Sequence, residues 1–188
     1  MLLLLACTPA EPELVTLSFE VEAATISGAP FGLDDTSRLA VGTGTMAYEL
    51  GAEDSAWDDA SRGTYQHTRD SVFTLRFEGL SVDGSGTAAV DVEDFDPDTF
   101  RFSDGVAFEG DPDGLPGPMS VDGEERQDVD IWFAVTEDAG TAFSDDLLPS
   151  DFPTVLLDPA LPHTFSVEDE GGTVLFQLLD FQQTGWPE

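Results

Sequence analysis

Positive charge is almost absent from this chain. Six arginines and no lysine stand against 39 acidic residues, which gives a formal net charge of −33 over 188 residues. Electrostatic binding to nucleic acid or to an anionic membrane surface needs clustered lysine or arginine, so both are excluded. Any charged partner is therefore expected to be a cation. The acidity fits either adaptation to a saline exterior, where salt screens self-repulsion, or a solubility bias of a lysine-poor proteome.

Residues with reactive side chains are scarce as well. Cys7 is the only cysteine, which excludes the inter-sheet disulfide of antibody domains. His67 and His163 lie far apart in sequence without a neighbouring ligand pattern, which argues against a zinc site. The chain has no G-x-S-x-G elbow, and among 39 acids no catalytic carboxylate pair can be singled out. We therefore predict no catalytic residue and a protein that is not an enzyme.

The apolar run at residues 1–7 is too short to span a bilayer, which takes about 20 apolar residues. Its end, Leu4-Leu5-Ala6-Cys7, resembles the lipobox of bacterial lipoproteins, and residues 8–13 look like the polar tether that follows the cysteine in that class. The resemblance implies cleavage behind Ala6 and lipidation of Cys7. Because Thr8 is not aspartate, the resemblance also favours the outer membrane or the cell surface.

One feature of such signals is missing, because no lysine or arginine precedes Arg38. We therefore expect a misplaced start codon or a truncated signal at residues 1–7, then the tether at residues 8–13. One β-sandwich domain is expected over residues 14–184. The alternative interpretation of the first residues is a buried strand that contains an inert Cys7.

Apolar residues alternate with polar ones along much of the chain, which is the period of half-buried strands. The clearest run is residues 71–78, in which Phe73, Leu75 and Phe77 share one face. Together with 18 glycines, 12 prolines and no helical periodicity, such runs predict an all-β protein. The predicted architecture is an antiparallel β-sandwich of about eight strands, of the jelly-roll or immunoglobulin-like type. A closed barrel is the alternative.

Turn residues predict how the strands are connected. Residues 83–86 are expected to join the strand at 71–78 to a return strand at 88–93 as a hairpin, and a third strand with Phe100 and Phe102 would follow. A bulge near Gly42 and Gly44 would switch the buried face of the second strand.

The rest of the chain is predicted to contain long loops and one more hairpin. Residues 51–70, with a short strand at residues 64–67, and residues 105–125 have the composition of loops. Residues 143–162 are expected to cross and seal one end of the core. In the last hairpin, the strand at residues 173–181 is expected to be buried on both faces.

The order of features from residue 41 resembles an uncharacterised extracellular β-domain of secreted bacterial proteins that carry a PEP-CTERM sorting tail. The matching segments are Gly42-Thr43-Gly44-Thr45-Met46-Ala47-Tyr48, Gly63-Thr64-Tyr65, the strand at 73–77 and Asp145-Asp146-Leu147-Leu148-Pro149-Ser150-Asp151-Phe152-Pro153. The resemblance covers roughly residues 38–181 and lacks the tail itself. It implies a domain at the envelope surface and transfers no catalytic residues.

Two kinds of ligand site are suggested by short patterns. Glu109, Asp111 and Asp113 match the opening of a calcium loop, although Ser120 stands where the loop needs a glutamate; a solvated turn is the alternative. A second alternation, Asp94, Asp96 and Asp98, lacks the glycine of such loops.

Three aromatic residues at predicted loop or outward positions, Trp57, Tyr65 and Trp132, are candidates for stacking on a sugar ring. The sequence thus favours a non-enzymatic, lipid-anchored protein of the bacterial cell envelope with a structural, adhesive or binding role. It needs no cofactor unless calcium binds. Its expected partners are the membrane, through the lipid alone, and a glycan or a protein surface. The alternative is a calcium-dependent carbohydrate-binding module.

Overall fold

The computed structural model describes residues 14–50, 62–67, 70–85, 88–94, 98–104, 119–126, 128–145 and 147–184, and these residues form strands, turns and loops. Besides twelve strands, three short 3-10 turns occur in them, at Pro30–Gly32, Thr36–Leu39 and Thr154–Leu157. The strands are β1 Leu14–Gly28, β2 Val41–Glu49, β3 Arg62–His67, β4 Asp70–Phe77, β5 Leu80–Ser85, β6 Ala88–Glu93, β7 Asp98–Asp104, β8 Met119–Val121, β9 Glu124–Arg126, β10 Asp130–Glu137, β11 His163–Asp169 and β12 Gly172–Thr184.

All of these strands belong to one antiparallel sheet with the order β3-β6-β7-β10-β11-β12-β1-β2-β4-β5-β8-β9. The prediction of an all-β, antiparallel protein is confirmed. The predicted division into two layers of about eight strands is not what the structure has, because a single curled sheet supplies both walls of the core.

Contacts between distant strands show the curl. The rings of Tyr48 on β2 and Phe100 on β7 have centroids 5.8 Å apart, although four strands separate β2 from β7 in the sheet order. Phe73 on β4 lies 6.3 Å from Phe165 on β11 in the same way. One face of the sheet therefore folds over onto itself and is buried, while the other face points outward.

The two longest strands produce much of this bending. β1 has 15 residues and β12 has 13, and they pair along nearly their whole length. Their register shifts twice, between Glu20 and Val21 and between Ala23 and Thr25. Because an extra residue in one strand bends the strand and increases its twist, these two irregularities help the sheet to curl.

The core is made of the side chains at alternate strand positions, as their period of two predicts. Val15, Leu17, Phe19 and Val21 of β1 are all buried. Phe165 stands at the centre, and its ring lies 5.1–6.3 Å from four other phenylalanine rings. These rings are Phe19, Phe73, Phe133 and Phe176.

The loop at residues 143–162 covers one end of this core, as predicted. Phe152 is buried and packs edge-on against Phe100 at 4.8 Å and against Phe181 at 5.6 Å. The hydroxyl of Tyr48 donates a 2.6 Å hydrogen bond to the carbonyl of Pro149. Burial raises the pKa of Tyr48 above its ordinary value, and nearby Asp151 adds to that effect. The loop and the sheet are therefore joined by both apolar and polar contacts.

The predicted hairpin between residues 71–78 and 88–93 is wrong. The chain turns earlier, at Glu78 and Gly79, where Gly79 has a φ of 67° that suits glycine. Residues 80–85 then form β5, which pairs with β4. β6 pairs instead with β3, and it also pairs with β7, the third strand that was predicted to follow it. The first strand of the predicted arrangement, β4, therefore lies in a different part of the sheet from β6 and β7.

Two smaller expectations are also corrected, and two others are confirmed. Residues 119–125 belong to the segment predicted as a long loop, 105–125, but together with Arg126 they form the β8–β9 hairpin around Asp122 and Gly123. β12 is buried on one face only, because Leu175 and Leu179 are 43% and 41% exposed. The short strand expected at residues 64–67 is confirmed as part of β3, and β11 and β12 form the predicted last hairpin.

The predicted bulge in β2 is wrong, because β2 pairs with β1 in continuous register from Val41 to Glu49. Gly42 and Gly44 instead lie on the core side, where phenylalanine rings fill the space that their missing side chains leave. A Cβ atom at Gly42 would lie 2.6 Å from the ring of Phe77, and one at Gly44 would lie 2.4 Å from the ring of Phe19. The glycines therefore make room for the core.

Adding a methyl group at these glycines is expected to destabilise the protein to different degrees. At Gly44 the new Cβ would also lie 2.3 Å from the backbone carbonyl oxygen of Thr74, which cannot move without disturbing the β2–β4 pairing. We expect Gly44→Ala to lower the free energy of unfolding by about 1–3 kcal/mol. Gly42→Ala should cost less, because the half-buried ring of Phe77 can shift. Urea unfolding of both variants measures this, and equal costs would contradict the interpretation.

Candidate functional site

Several residues singled out by the sequence lie outside the described residues. These are Cys7 of the lipobox, Trp57 of the candidate sugar platform, and Glu109, Asp111 and Asp113 of the candidate calcium loop. Their roles remain predictions.

The other two aromatic candidates occupy different environments. Tyr65 lies in β3 and is 3% exposed, so the outward position predicted for it is wrong: it joins the core and offers no face to a sugar. Trp132 lies on β10 between the buried residues Ile131 and Phe133 and is half-buried, on the outer face as predicted. The structure does not bring these two rings together on one surface.

The imidazole of His163 is used structurally. Its Nε2 accepts a hydrogen bond from the backbone N–H of Leu178 at 3.1 Å, and its Nδ1 lies 3.1 Å from the carbonyl oxygen of Leu161. A nitrogen that accepts from an N–H carries no proton, so Nδ1 holds the proton and donates it to Leu161. Both ring nitrogens therefore bind backbone groups. His67, the other histidine, lies on β3.

The outer face of the sheet carries a shallow groove of about 370 Å³ across β12, β1, β2 and β4. The groove lies beside the first register shift between β1 and β12, which falls between Glu20 and Val21. Eight of its ten lining residues have polar or charged side chains, and the lining comprises Ser18, Phe19, Glu20, Thr43, Gly44, Thr45, Thr74, Arg76, Asp180 and Gln182.

Polar contacts hold some of these side chains in place. The hydroxyl oxygens of Thr45 and Thr74 lie 2.9 Å apart across the β2–β4 pair. Arg76 donates to the carbonyl of Val82 at 3.0 Å and forms an ion pair with Asp83. The groove thus presents a fixed set of donors and acceptors, suited to a ligand rich in hydroxyl groups. Trp132 lies on β10, three strands from β1 in the sheet order, so it does not line the groove.

A second polar feature lies inside the molecule, at the end of the core face. Asp98 of β7 and Glu137 of β10 stand directly opposite each other in the sheet. Each continues an apolar alternation: Glu137 follows Ile131, Phe133 and Val135, and Asp98 precedes Phe100. Asp98 is 0% exposed and Glu137 is 7% exposed. Two carboxylates therefore lie side by side where hydrophobic residues would be expected.

The loop that begins at residue 138 donates its backbone N–H groups to this pair. Glu137 accepts from the backbone N–H of Ala139 at 2.6 Å and of Thr141 at 2.9 Å, and from the Thr141 hydroxyl at 3.1 Å. The N–H groups of Thr141 and Ala139 lower the pKa of Glu137. Asp98 accepts through Oδ2 from the N–H groups of Ala142 at 2.6 Å and Phe143 at 2.9 Å.

The sequence patterns do not predict this pair, because Asp98 belongs only to the alternation with Asp94 and Asp96 and Glu137 belongs to no candidate site. A signal was present, because an acidic residue at the apolar parity of a predicted strand must be buried together with that face. What the sequence does not contain is the β7–β10 pairing that places the two residues opposite each other.

Asp169 is a third buried carboxylate, at the end of β11, and it holds a turn together. Its Oδ1 accepts from the N–H groups of Gly171 at 3.0 Å and Gly172 at 2.9 Å. Its Oδ2 accepts from the N–H of Phe31 at 2.7 Å and from Arg126 at 3.2 Å. Phe31 has a φ of 58°, which is strained for a residue other than glycine. Asp169 thus fixes the start of the turn after β1 to the β11–β12 hairpin.

The pKa values of two aspartates near this turn, Asp128 and Asp130, are shifted in opposite directions. Arg126 hydrogen-bonds both carboxylate oxygens of Asp128 and lowers the pKa of Asp128 to about 2. Asp130 stands opposite Glu168 in the β10–β11 pair. Its pKa is raised, first by desolvation of the carboxyl group and then by the negative charges of Glu168 and Asp128. Ionised Asp128 therefore stabilises the fold, and ionised Asp130 opposes it.

No set of three or more histidine, cysteine, aspartate or glutamate side chains in the described part of the chain has an arrangement that would hold a metal ion. None of the helical segments in that part of the chain is long and apolar enough to cross a membrane. Compared with protein-family models, with curated proteins and with solved structures, the chain gives no match.

Removing the charge of Asp130 is expected to stabilise the protein at neutral pH. Like charges directly opposite each other in a sheet repel, so Asp130→Asn should raise the free energy of unfolding by a few tenths of a kcal/mol at this exposed position. Because the folded pKa of Asp130 is raised, the gain should be present at pH 7 and should disappear as pH falls below the ordinary value of 3.8. Urea unfolding at pH 7 and pH 3 measures it.

Asp128→Asn is the matched control. It lies two residues away, and we expect it to change the free energy of unfolding in the opposite direction. It loses the ion pair with Arg126 and should lower the free energy of unfolding at pH 7 by up to about 1 kcal/mol. Because the folded pKa of Asp128 is depressed, this cost should fade as pH drops from about 4 toward 2. A destabilising Asp130→Asn or a stabilising Asp128→Asn at pH 7 would contradict the assignment.

Proposed function

We propose that the protein is a non-enzymatic, lipid-anchored protein of the bacterial cell envelope, attached through Cys7 and displaying its sheet at the outer membrane or the cell surface for a structural, adhesive or binding role. The observation that carries this proposal is the short distance in sequence between the lipobox-like Leu4-Leu5-Ala6-Cys7 and the start of β1 at Leu14. Six residues, 8–13, separate them. Fully extended, they would span about 20 Å.

The charge of the chain supports the same arrangement. A net charge of −33 repels anionic lipid headgroups, so the domain would stand off the membrane that its lipid holds it to. The outer sheet face would then point toward other molecules. Three polar side chains of the described residues support a structural role rather than chemistry: buried Asp169, buried Glu137 and half-buried His163 all bind backbone groups that hold loops and strands together.

Metabolic labelling with radioactive palmitate tests the anchor. The chain would be expressed in a bacterial host behind a positively charged signal region, as wild type, as Cys7→Ser and as the control Thr8→Ala. We expect label in the wild type and in Thr8→Ala, and none in Cys7→Ser, because the thiol is the site of lipid attachment. Equal labelling of Cys7→Ser, or no label in the wild type, would refute the proposal.

The outer groove favours a second candidate, a calcium-dependent carbohydrate-binding module. Its lining of hydroxyl groups, carboxylates, Arg76 and Gln182 is suited to hydrogen bonding with sugar hydroxyls. Trp132 is not among the residues that line the groove, so the groove does not include it as a stacking platform. Sugar binding in the groove would therefore depend on hydrogen bonds, and calcium would bind at a different site in the protein.

A glycan array, probed with and without calcium, tests this second candidate. Gln182→Ala removes an exposed amide that lines the groove, and Gln177→Ala removes an exposed amide outside it on the same strand. We expect glycan binding to be weakened by Gln182→Ala and unchanged by Gln177→Ala. An array without any bound glycan, or equal loss in both variants, would count against the module.

A further inference from the structure

One oxygen in the carboxylate pair at the end of the core accepts no hydrogen bond from the described residues. Oδ2 of Asp98 accepts two backbone N–H groups, but Oδ1 is buried and has no donor within hydrogen-bonding distance. It is the one side-chain polar atom of this kind in the described part of the chain. Buried polar groups are hydrogen-bonded as a rule, and an exception needs an explanation.

Asp169 shows what a satisfied buried carboxylate in the same protein looks like. Each of its two oxygens accepts two hydrogen bonds, and Arg126 supplies a positive charge. Asp98 has two bonds on one oxygen and none on the other, and its cross-strand neighbour Glu137 is also an acid. The described ion pairs lie elsewhere, at Arg76, Arg101 and Arg126.

Oδ1 of Asp98 faces the carboxylate of the opposite strand and lacks a donor among the described residues. A cation would satisfy this oxygen, because a cation binds acceptor oxygens directly and the oxygens around it need not lie within hydrogen-bonding distance of each other. Ligands that surround a cation lie on its different sides, and acceptor oxygens are the groups that it requires.

We propose that Asp98 and Glu137 bind a calcium ion beneath the loop that begins at residue 138, with Oδ1 of Asp98 as a direct ligand. Two facing carboxylates supply the negative charge, and backbone carbonyls and water complete the six to eight oxygens that calcium takes. Magnesium fits less well, because it demands near-ideal octahedral geometry and gives up its water reluctantly.

The site would lie between two elements that the ion then ties together. The same two carboxylates already hold the N–H groups of Ala139, Thr141, Ala142 and Phe143. Calcium would fix the carboxylates and, through them, the loop that closes the core. With only two carboxylates, the affinity should resemble that of extracellular modules, with a Kd of about 10⁻⁴–10⁻³ M. The proposal depends neither on the lipid anchor nor on the glycan groove.

Isothermal titration of the full chain with calcium chloride, in 0.15 M sodium chloride, tests the site. Sodium at this concentration screens the general attraction of a highly acidic protein for cations. Asp98→Asn keeps an oxygen for Ala142 and Phe143 but removes the negative charge, and Glu137→Gln does the same on the other strand. Asp158→Asn is the control, because Asp158 is an exposed acid that also accepts a backbone N–H, at 2.9 Å from Ala160.

We expect calcium to bind the wild type and Asp158→Asn alike, and to bind Asp98→Asn and Glu137→Gln at least ten times more weakly. Magnesium should bind more weakly than calcium. Absence of calcium binding to the wild type up to 10 times the upper expected Kd of about 10⁻³ M would overturn the proposal. So would equal affinities of Asp98→Asn and the wild type, or an equal loss in Asp158→Asn. Loss of binding in Asp111→Asn with retention in Asp98→Asn would place the ion at residues 109–113 instead.

Amide hydrogen exchange of the wild type provides a measurement that does not depend on variants. Calcium should slow the exchange of the Ala142 and Phe143 amides, which Asp98 binds, more than that of the Ala160 amide, which Asp158 binds. Magnesium at the same ionic strength should have a smaller effect. Equal effects of the two ions at Ala142 and Phe143 would overturn the site.

Discussion

The packing of Phe165 against four other phenylalanine rings is the contact on which the curled sheet depends. Phe19, Phe73, Phe133 and Phe176 reach it from β1, β4, β10 and β12, so one ring is shared by strands from both walls of the core. Each aromatic pair contributes about 0.5–1.5 kcal/mol beyond the area it buries. A flat sheet of the same strands could not make the contact between Phe73 and Phe165. The curl in turn requires Gly42 and Gly44, because side chains there would occupy the space of Phe77 and Phe19.

Buried carboxylates connect this apolar core to the loops at its ends. Asp169 binds the turn after β1 and the β11–β12 turn, while Glu137 and Asp98 bind the loop after β10. Each carboxylate accepts backbone N–H groups that would otherwise be unpaired near the core, which lets irregular chain pack against a sheet end. Acidic residues in this protein thus act in two ways. Most give the surface its charge, and a few replace missing backbone partners inside.

The fold class could be predicted from the sequence because a period of two survives in the segments that became β1, β4, β10 and β11. Local alternation identifies a strand and its buried face, as at Phe73 and Ile131, but it does not say which strand lies beside it. For this reason the sequence predicts β6 beside β4, and two layers of strands where the structure has one curled sheet. The Asp98–Glu137 pair could not be predicted from the sequence for the same reason, because its two residues are 39 positions apart and are brought together only by the β7–β10 pairing. Tyr65 was misplaced because its short segment gave no apolar stripe to show the buried face.

The curl itself can be tested through the two strands that it brings together from far apart in the sheet order. A nuclear Overhauser spectrum of protein labelled selectively at phenylalanine and tyrosine would show whether the rings of Tyr48 and Phe100 are neighbours. Their centroids lie 5.8 Å apart, with four strands between β2 and β7 in the sheet. The structure predicts a cross-peak between these two rings alongside that of Phe19 and Phe165. A spectrum with the Phe19–Phe165 peak but without the Tyr48–Phe100 peak would mean an open sheet and would contradict the fold described here.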